Sequence, residues 1–203
     1  MIIIMNSSPL GKKAQSRQRI LEAASRRVRR SGFRGVGVAD VMKEAGLTHG
    51  GFYSHFASRD ALLAEAVAHA STDIGKVITA NVELLARRGQ SVFSAFVDSY
   101  LSNSQLGDCE NGCPVAALCA EMPEQGPEVR GASRRIVDNL HKLVQQALPA
   151  GSSLDAVWTV TGALIGAVQL ARALGDSEQG RAVLAATRAD LVARYDAPKK
   201  PGG

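Results

Sequence analysis

Aromatic side chains are scarce, at 4% of the 203 residues. With alanine and leucine abundant instead, the composition favours helix over sheet. Cysteine is scarce too: the chain has three, an odd number that fits a reducing compartment better than a disulfide framework. No segment approaches the roughly 18 apolar residues that a membrane span needs. The opening Met1-Ile2-Ile3-Ile4-Met5 is too short for a signal-peptide core and has no basic residue before it. The expectation is a cytoplasmic protein with no membrane partner. A nucleophile elbow, a phosphate loop and a paired metal motif are all missing, so neither an enzyme nor a cofactor or metal site is expected.

What is present is a helical chain with an uneven charge. At 45% hydrophobic and 21% charged residues, it can build one or two domains with real cores. Residues 1–60 hold 11 Lys/Arg against 4 Asp/Glu, a net of +7, and residues 61–203 hold 13 against 15. A basic head on a slightly acidic body points to a polyanion partner for the head. A solvated basic face without a partner would look the same by charge alone.

Hydrophobic periodicity gives the organisation. Residues 1–11 and 197–203 read as a disordered arm and a frayed tail. A first helix is expected over Lys12 to Ser31, where Ile20, Leu21, Ala24 and Val28 make one stripe. Gly32 stops it, and Phe33 can fold back onto its end. A short helix over Val38 to Ala45 ends at Gly46. Thr48 can then cap another, running to about His55. Two short helices around a glycine turn match the helix-turn-helix pattern. Ser58 can cap the next helix, with Asp60 in its first turn, and that helix continues into the 70s or beyond to connect two domains. Five further helices are expected: Ser91 to about Ser102, Pro114 to Met122, Pro127 to Leu148, Ser152 to about Leu174, and Asp176 to Tyr195.

Residues 17–62 resemble the DNA-binding domain of the TetR family of bacterial regulators. The matching residues are Ile20-Leu21-Glu22-Ala23-Ala24, Gly32-Phe33, Gly46-Leu47-Thr48, Gly50, Phe52-Tyr53-Ser54-His55-Phe56, Arg59 and Leu62, spaced without gaps. The resemblance implies an all-α fold. A helix-turn-helix domain at 12–57 would be followed by an effector-binding and dimerisation domain at 58–196. It also implies a homodimer on double-stranded DNA with an inverted-repeat operator, and a small-molecule effector of unknown identity. The regulator would most naturally be a repressor, released by that molecule or by thiol modification.

Residue types in the motif carry their own logic. Gly50 and Gly51 cost a short helix about 1 kcal/mol each and would let it approach a major groove closely; permitting helix–helix approach is the alternative. Thr48 and His49 could reach base edges or phosphates. The family implies that Tyr53 and His55 face the sugar-phosphate backbone, although Tyr53 packed on the first helix and His55 in the core are the plainer readings. Arg59 stands where the family usually has Lys beside a phosphate. Gly37 replaces a usual Thr or Ser, which loses a side-chain cap and one phosphate contact. Phe52 and Phe56 fit as anchors to the small core.

The remainder is less specific. Phe93, Phe96, Tyr100, Leu118, Met122, Val137, His141 and Trp158 are candidates to line an effector pocket, although side chains at helical spacing are more often plain core. The helix over Ser152–Leu174 carries Gly162, Ala163, Gly166, Ala167 and Ala171. Small residues there would let a partner helix come close, and in the family the last two helices form the dimer. Cys109 and Cys113 lie in a polar loop, with Cys113 expected at a helix N-cap before Pro114, where the dipole lowers a thiol pKa. Some family members with a Gly-Cys before this helix respond to electrophiles or oxidants. Cys113, with Cys109 as resolving thiol, is therefore a possible sensor; an incidental loop thiol is the alternative.

Overall fold

The computed structural model describes residues 11–196; the arm at 1–10 and the tail at 197–203 lie outside the described residues. Among the described residues there are nine α-helices and no strand. The head holds α1 (Lys12–Ser31), α2 (Val38–Glu44) and a 3-10 turn at His49–Ser54. The α1 stripe turns inward as its period requires, and Ile20, Leu21, Ala24 and Val28 are buried. Gly32 ends the helix at φ 69°, in the left-handed region, with its N–H bonded to the Val28 carbonyl. A Cβ there would also collide with the Glu121 carboxylate, so both backbone and packing require glycine. Phe33 then folds back into the core.

The long helix α3 (Arg59–Ala86) is the spine. Its first turn is capped by Ser58, whose hydroxyl accepts from the Ala61 N–H at 2.9 Å. Such a cap stabilises a helix by about 1 kcal/mol. The helix packs against α1 in the head, and against α4 (Val92–Tyr100) and α7 (Pro127–Ala147) in the body. Between those two lie α5 (Ser104–Gly107), a 3-10 turn at Cys109–Asn111, α6 (Pro114–Leu118) and a 3-10 turn at Met122–Glu124. An antiparallel-neighbour pair, α8 (Leu154–Ala173) and α9 (Glu178–Tyr195), completes the fold. Buried side chains from Ile20 to Leu191 form one connected apolar cluster, so head and body share a core.

Several expectations change. The segment after Gly46 is a six-residue 3-10 turn, and the Thr48 side chain does not cap it. The helix at Pro114 stops at Leu118, four residues early. The polar loop before it contains α5 and a 3-10 turn, too short to leave a hydrophobic period. The expectation that no segment is long and apolar enough for a membrane also fails. Helix α8 has 20 residues and contains an 18-residue window with a mean hydropathy of 1.4, enough by length and composition to cross one. Its inner face, with Val157, Val160, Leu164, Val168 and Ala171 buried, packs on α7 and α9. Its outer face leaves Leu154, Trp158 and Leu170 exposed.

Candidate nucleic-acid interface

The turn at His49–Ser54 alternates between anchor and display. Phe52 and Phe56 are buried, stacked with ring centroids 5.9 Å apart. The Arg17 guanidinium lies 4.6 Å from the Phe56 centroid and is held by Glu65 at 2.5 Å. This fixes the turn on the head through apolar burial and a cation–π contact. Tyr53 points the other way, 73% exposed, touching Phe52 only edge-on at 5.2 Å. Packing of Tyr53 on the first helix is therefore ruled out. Thr48, His49, Gly50 and Ser54 are exposed beside it.

The two glycines are explained by neither backbone nor packing. Neither has positive φ. A Cβ on Gly50 would meet nothing within 4 Å, and one on Gly51 would make only ordinary contacts with Met42 and Thr48. What they provide is clearance on the outer side. Gly37 is exposed at the start of α2 and gives no side-chain cap, as its identity requires. His55 is half-buried, with an inward Nδ1 that lacks a partner among the described residues.

Arg59, expected beside a phosphate, is bonded within the head, with its side chain 40% exposed. Its Nε donates to the Val36 carbonyl at 3.0 Å and its Nη2 to the Phe33 carbonyl. Both acceptors belong to the connection between α1 and α2, so Arg59 ties that connection to the start of α3. Its guanidinium is already engaged by two carbonyls. Arg59→Ala should therefore lower the thermal midpoint of the head, costing about 1–3 kcal/mol. It should leave the salt dependence of DNA binding nearly unchanged, whereas a lost phosphate contact would reduce the slope by about one. Thermal melts and DNA titrations from 50 to 200 mM salt separate the two.

Much of the basic surplus is committed in the same way. Arg26 pairs with Glu44, Arg27 with Asp40, Arg30 with Glu110, and Arg34 with Glu124. Lys12, Lys13, Arg19 and Lys43 are exposed and in no ion pair among the described residues. Sequence reading passed over these four, because charge counting does not show which cations find carboxylates.

The expected effector residues are not gathered around one cavity. Phe93, Phe96, Tyr100, Leu118 and Met122 are buried in the core. Phe93 borders one cleft with Pro149, Phe96 another with Leu143, and Met122 and Val137 a third with Arg130. Trp158 is corrected from interior to surface: it is 53% exposed, with its ring tilted against His141, centroids 4.1 Å apart.

Cys113 does sit at the N-cap of α6, but it is neither accessible nor acidic. It is 3% exposed. Burial pushes its thiol up, outweighing the Tyr100 hydroxyl and backbone N–H bonds that pull it down. Desolvation of a thiolate exceeds what one turn of helix dipole returns. The folded state thus keeps the proton, and the associated stability is complete below the ordinary thiol range and lost as pH rises through the raised value. Iodoacetamide at pH 8 should label the half-buried Cys109 and Cys119 at least tenfold faster than Cys113. Peptide mapping over a time course checks this, and equal rates would contradict it.

The chain matches two family models. One, described as bacterial regulatory proteins of the tetR family, covers residues 20–66; the other, a tetracyclin repressor-like C-terminal domain, covers residues 89–187. An HTH-type transcriptional regulator of Mycobacterium tuberculosis strain H37Rv is 26% identical over 171 residues, covering 79% of this chain and 86% of that protein. The reduced form of Escherichia coli NemR superposes with a TM-score of 0.70 at 20% identity, covering 91% of this chain and 99% of NemR. A TetR transcriptional regulator from Chloroflexus aurantiacus gives 0.68 at 21% identity, covering 90% and 96%.

Proposed function

Since this chain belongs to the TetR family of bacterial transcriptional regulators and is a helix-turn-helix DNA-binding regulator, not an enzyme, we propose that it is a cytoplasmic homodimeric repressor released from its operator by a small molecule. The observation that carries this reading is the outward display of Thr48, His49, Gly50 and Tyr53 over a buried Phe52–Phe56 anchor.

In this reading residues 12–57 bind DNA and residues 58–196 bind effector and partner. Thr48 and His49 face base edges, Gly50 and Gly51 clear the groove wall, and Tyr53 contacts phosphate. Gly37 and His55 flank the backbone contacts, and Arg59 acts behind them by holding the α1–α2 connection. A dimer reads an inverted repeat whose half-sites lie about one helical turn, or a multiple, apart. The outer face of α8 supplies the dimer contact, because Leu154, Trp158 and Leu170 are exposed there beside open Gly162 and Gly166. Effector binding in the body tilts α3 and changes the separation of the two heads, with a coupling of roughly 1–3 kcal/mol. A small molecule is the preferred releasing agent over thiol modification, because Cys113 is buried and neutral.

Selection from a random duplex library tests the reading and should return a dyad-symmetric site. Tyr53→Ala should weaken binding to selected and random duplexes by a similar factor, about tenfold, with an unchanged thermal midpoint. Thr48 or His49 substitutions should instead change the selected sequence. A library that yields no dyad-symmetric site would refute the proposal.

A further inference from the structure

A groove of about 460 Å³ lies between the Met122–Glu124 turn and α7. Met122, Pro123 and Val137 form its apolar wall. Arg130 and Arg134 line it from successive turns of α7, and neither is in an ion pair among the described residues. That sets them apart from Arg26, Arg27, Arg30 and Arg34, which are matched to carboxylates. At the floor is Ser133, buried, with a hydroxyl that has no hydrogen-bond partner among the described residues.

From this juxtaposition of two uncommitted guanidiniums, a buried unpaired hydroxyl and an apolar wall, we propose that the groove binds a monoanionic amphiphile, a carboxylate with an aliphatic body. The proposal rests on the ligand-released reading above and names the class of ligand. The carboxylate bridges Arg130 and Arg134, whose forks match its two oxygens. The carbon chain lies along Met122, Pro123 and Val137. Asp138 also lines the groove, two α-helical turns beyond Arg130 and so about 12 Å along the axis. One end of the groove is therefore positive and the other negative. A second carboxylate at the far end of the ligand would meet Asp138 and be rejected.

The location gives such a ligand a route to the head. The turn it would press on is the same turn that holds α1. Glu121 accepts from the Phe33 N–H at 3.0 Å, and Glu124 pairs with Arg34 at 2.6 Å. Movement of Met122 and Pro123 shifts the two carboxylates that fix the end of α1.

Decanoate is the probe, titrated calorimetrically into the full-length protein below its micellar concentration and without DNA. It should bind at least tenfold tighter than decanol, which keeps the body and lacks the charge, and tighter than decanedioate. Arg130→Gln and Arg134→Gln should each weaken decanoate at least tenfold, with circular dichroism showing a native fold. Asp138→Asn should narrow the gap between decanoate and decanedioate. No decanoate binding, binding equal to that of decanol, or binding insensitive to both arginines overturns the site. In a second arm, decanoate should loosen the selected duplex from the native protein and not from Arg134→Gln. Arginine-dependent binding without release overturns the coupling to the head and keeps the site. Failure to select any dyad-symmetric duplex refutes the repressor reading without touching the calorimetric result.

Discussion

Replacing Gly166 by Glu should give a folded protomer that no longer dimerises, with operator affinity lower by about 100-fold or more. Gly166 lies on the outer face of α8, and a Cβ there meets nothing within 4 Å. Its φ is not positive, so a side chain costs the helix nothing and gains in propensity. The protomer should therefore keep its thermal signature. In the proposed dimer the same position faces a partner helix, where a buried unpaired carboxylate is strongly unfavourable. Two linked heads gain about 10²–10⁴ in affinity over one, and that gain goes with the dimer. Ala167 next to it behaves differently. It is buried within its own protomer, so Ala167→Glu should unfold the chain. Sedimentation velocity, circular dichroism and DNA titration of the two variants distinguish loss of assembly from loss of fold. A Gly166→Glu protein that still sediments as a dimer would place the interface elsewhere.

Arg29→Met should lower the thermal midpoint by about 2–12 °C and loosen the head from the body. Arg29 is only 7% exposed. Its Nε donates to the Ser25 carbonyl at 3.1 Å, its Nη2 to the Ser25 hydroxyl at 3.2 Å and its Nη1 to the Gly112 carbonyl at 3.3 Å. Burial lowers its pKa, while Asp73 and Asp108 act to raise it. The Arg172 guanidinium lies close against Gly112 from the other side. Arg172 of α8 donates to the Gln105 carbonyl at 2.9 Å and the Gln105 side chain at 3.1 Å, and a Cβ on Gly112 would run into its guanidinium. A line of contacts thus runs from α8 through Gly112 to α1. Methionine fills the volume but leaves the Gly112 carbonyl without its Arg29 bond, costing about 1–3 kcal/mol, and each kcal/mol moves the midpoint roughly 2–4 °C in a chain of this size. Differential scanning calorimetry reads the shift, and hydrogen exchange at residues 109–113 should quicken with it. A midpoint within 1 °C of the native value would mean that Arg29 ties nothing.

The local part of this architecture was legible from the chain alone. The spacing of Ile20, Ala24 and Val28 determines a one-sided helix wherever it is placed, and Gly32 ends it because few other residues adopt its backbone conformation. Ser58 caps α3 with an atom three residues from its partner. Phe52 and Phe56, four apart, pack against each other by the same local rule, leaving Tyr53 outward. What the sequence left open involves partners far along the chain. Arg59 reaches carbonyls 23 and 26 residues away, a structural role that its place in the motif did not announce. Arg29 meets Gly112 across 83 residues, which no local period encodes. Cys113 has the neighbours of an activated thiol in sequence, but tertiary burial among Tyr100 and its surroundings raises its pKa. Trp158 has the period of a core residue and lies outside, because α8 is apolar all round and only packing decides which of its faces turns inward. Short-range geometry determined the long helices, the stops and caps at Gly32 and Ser58, and the outward turn of Tyr53 over its Phe52–Phe56 anchor. Long-range packing decided which charges are spent inside the protein and which remain for a partner, because desolvation and pairing depend on what lies opposite in space.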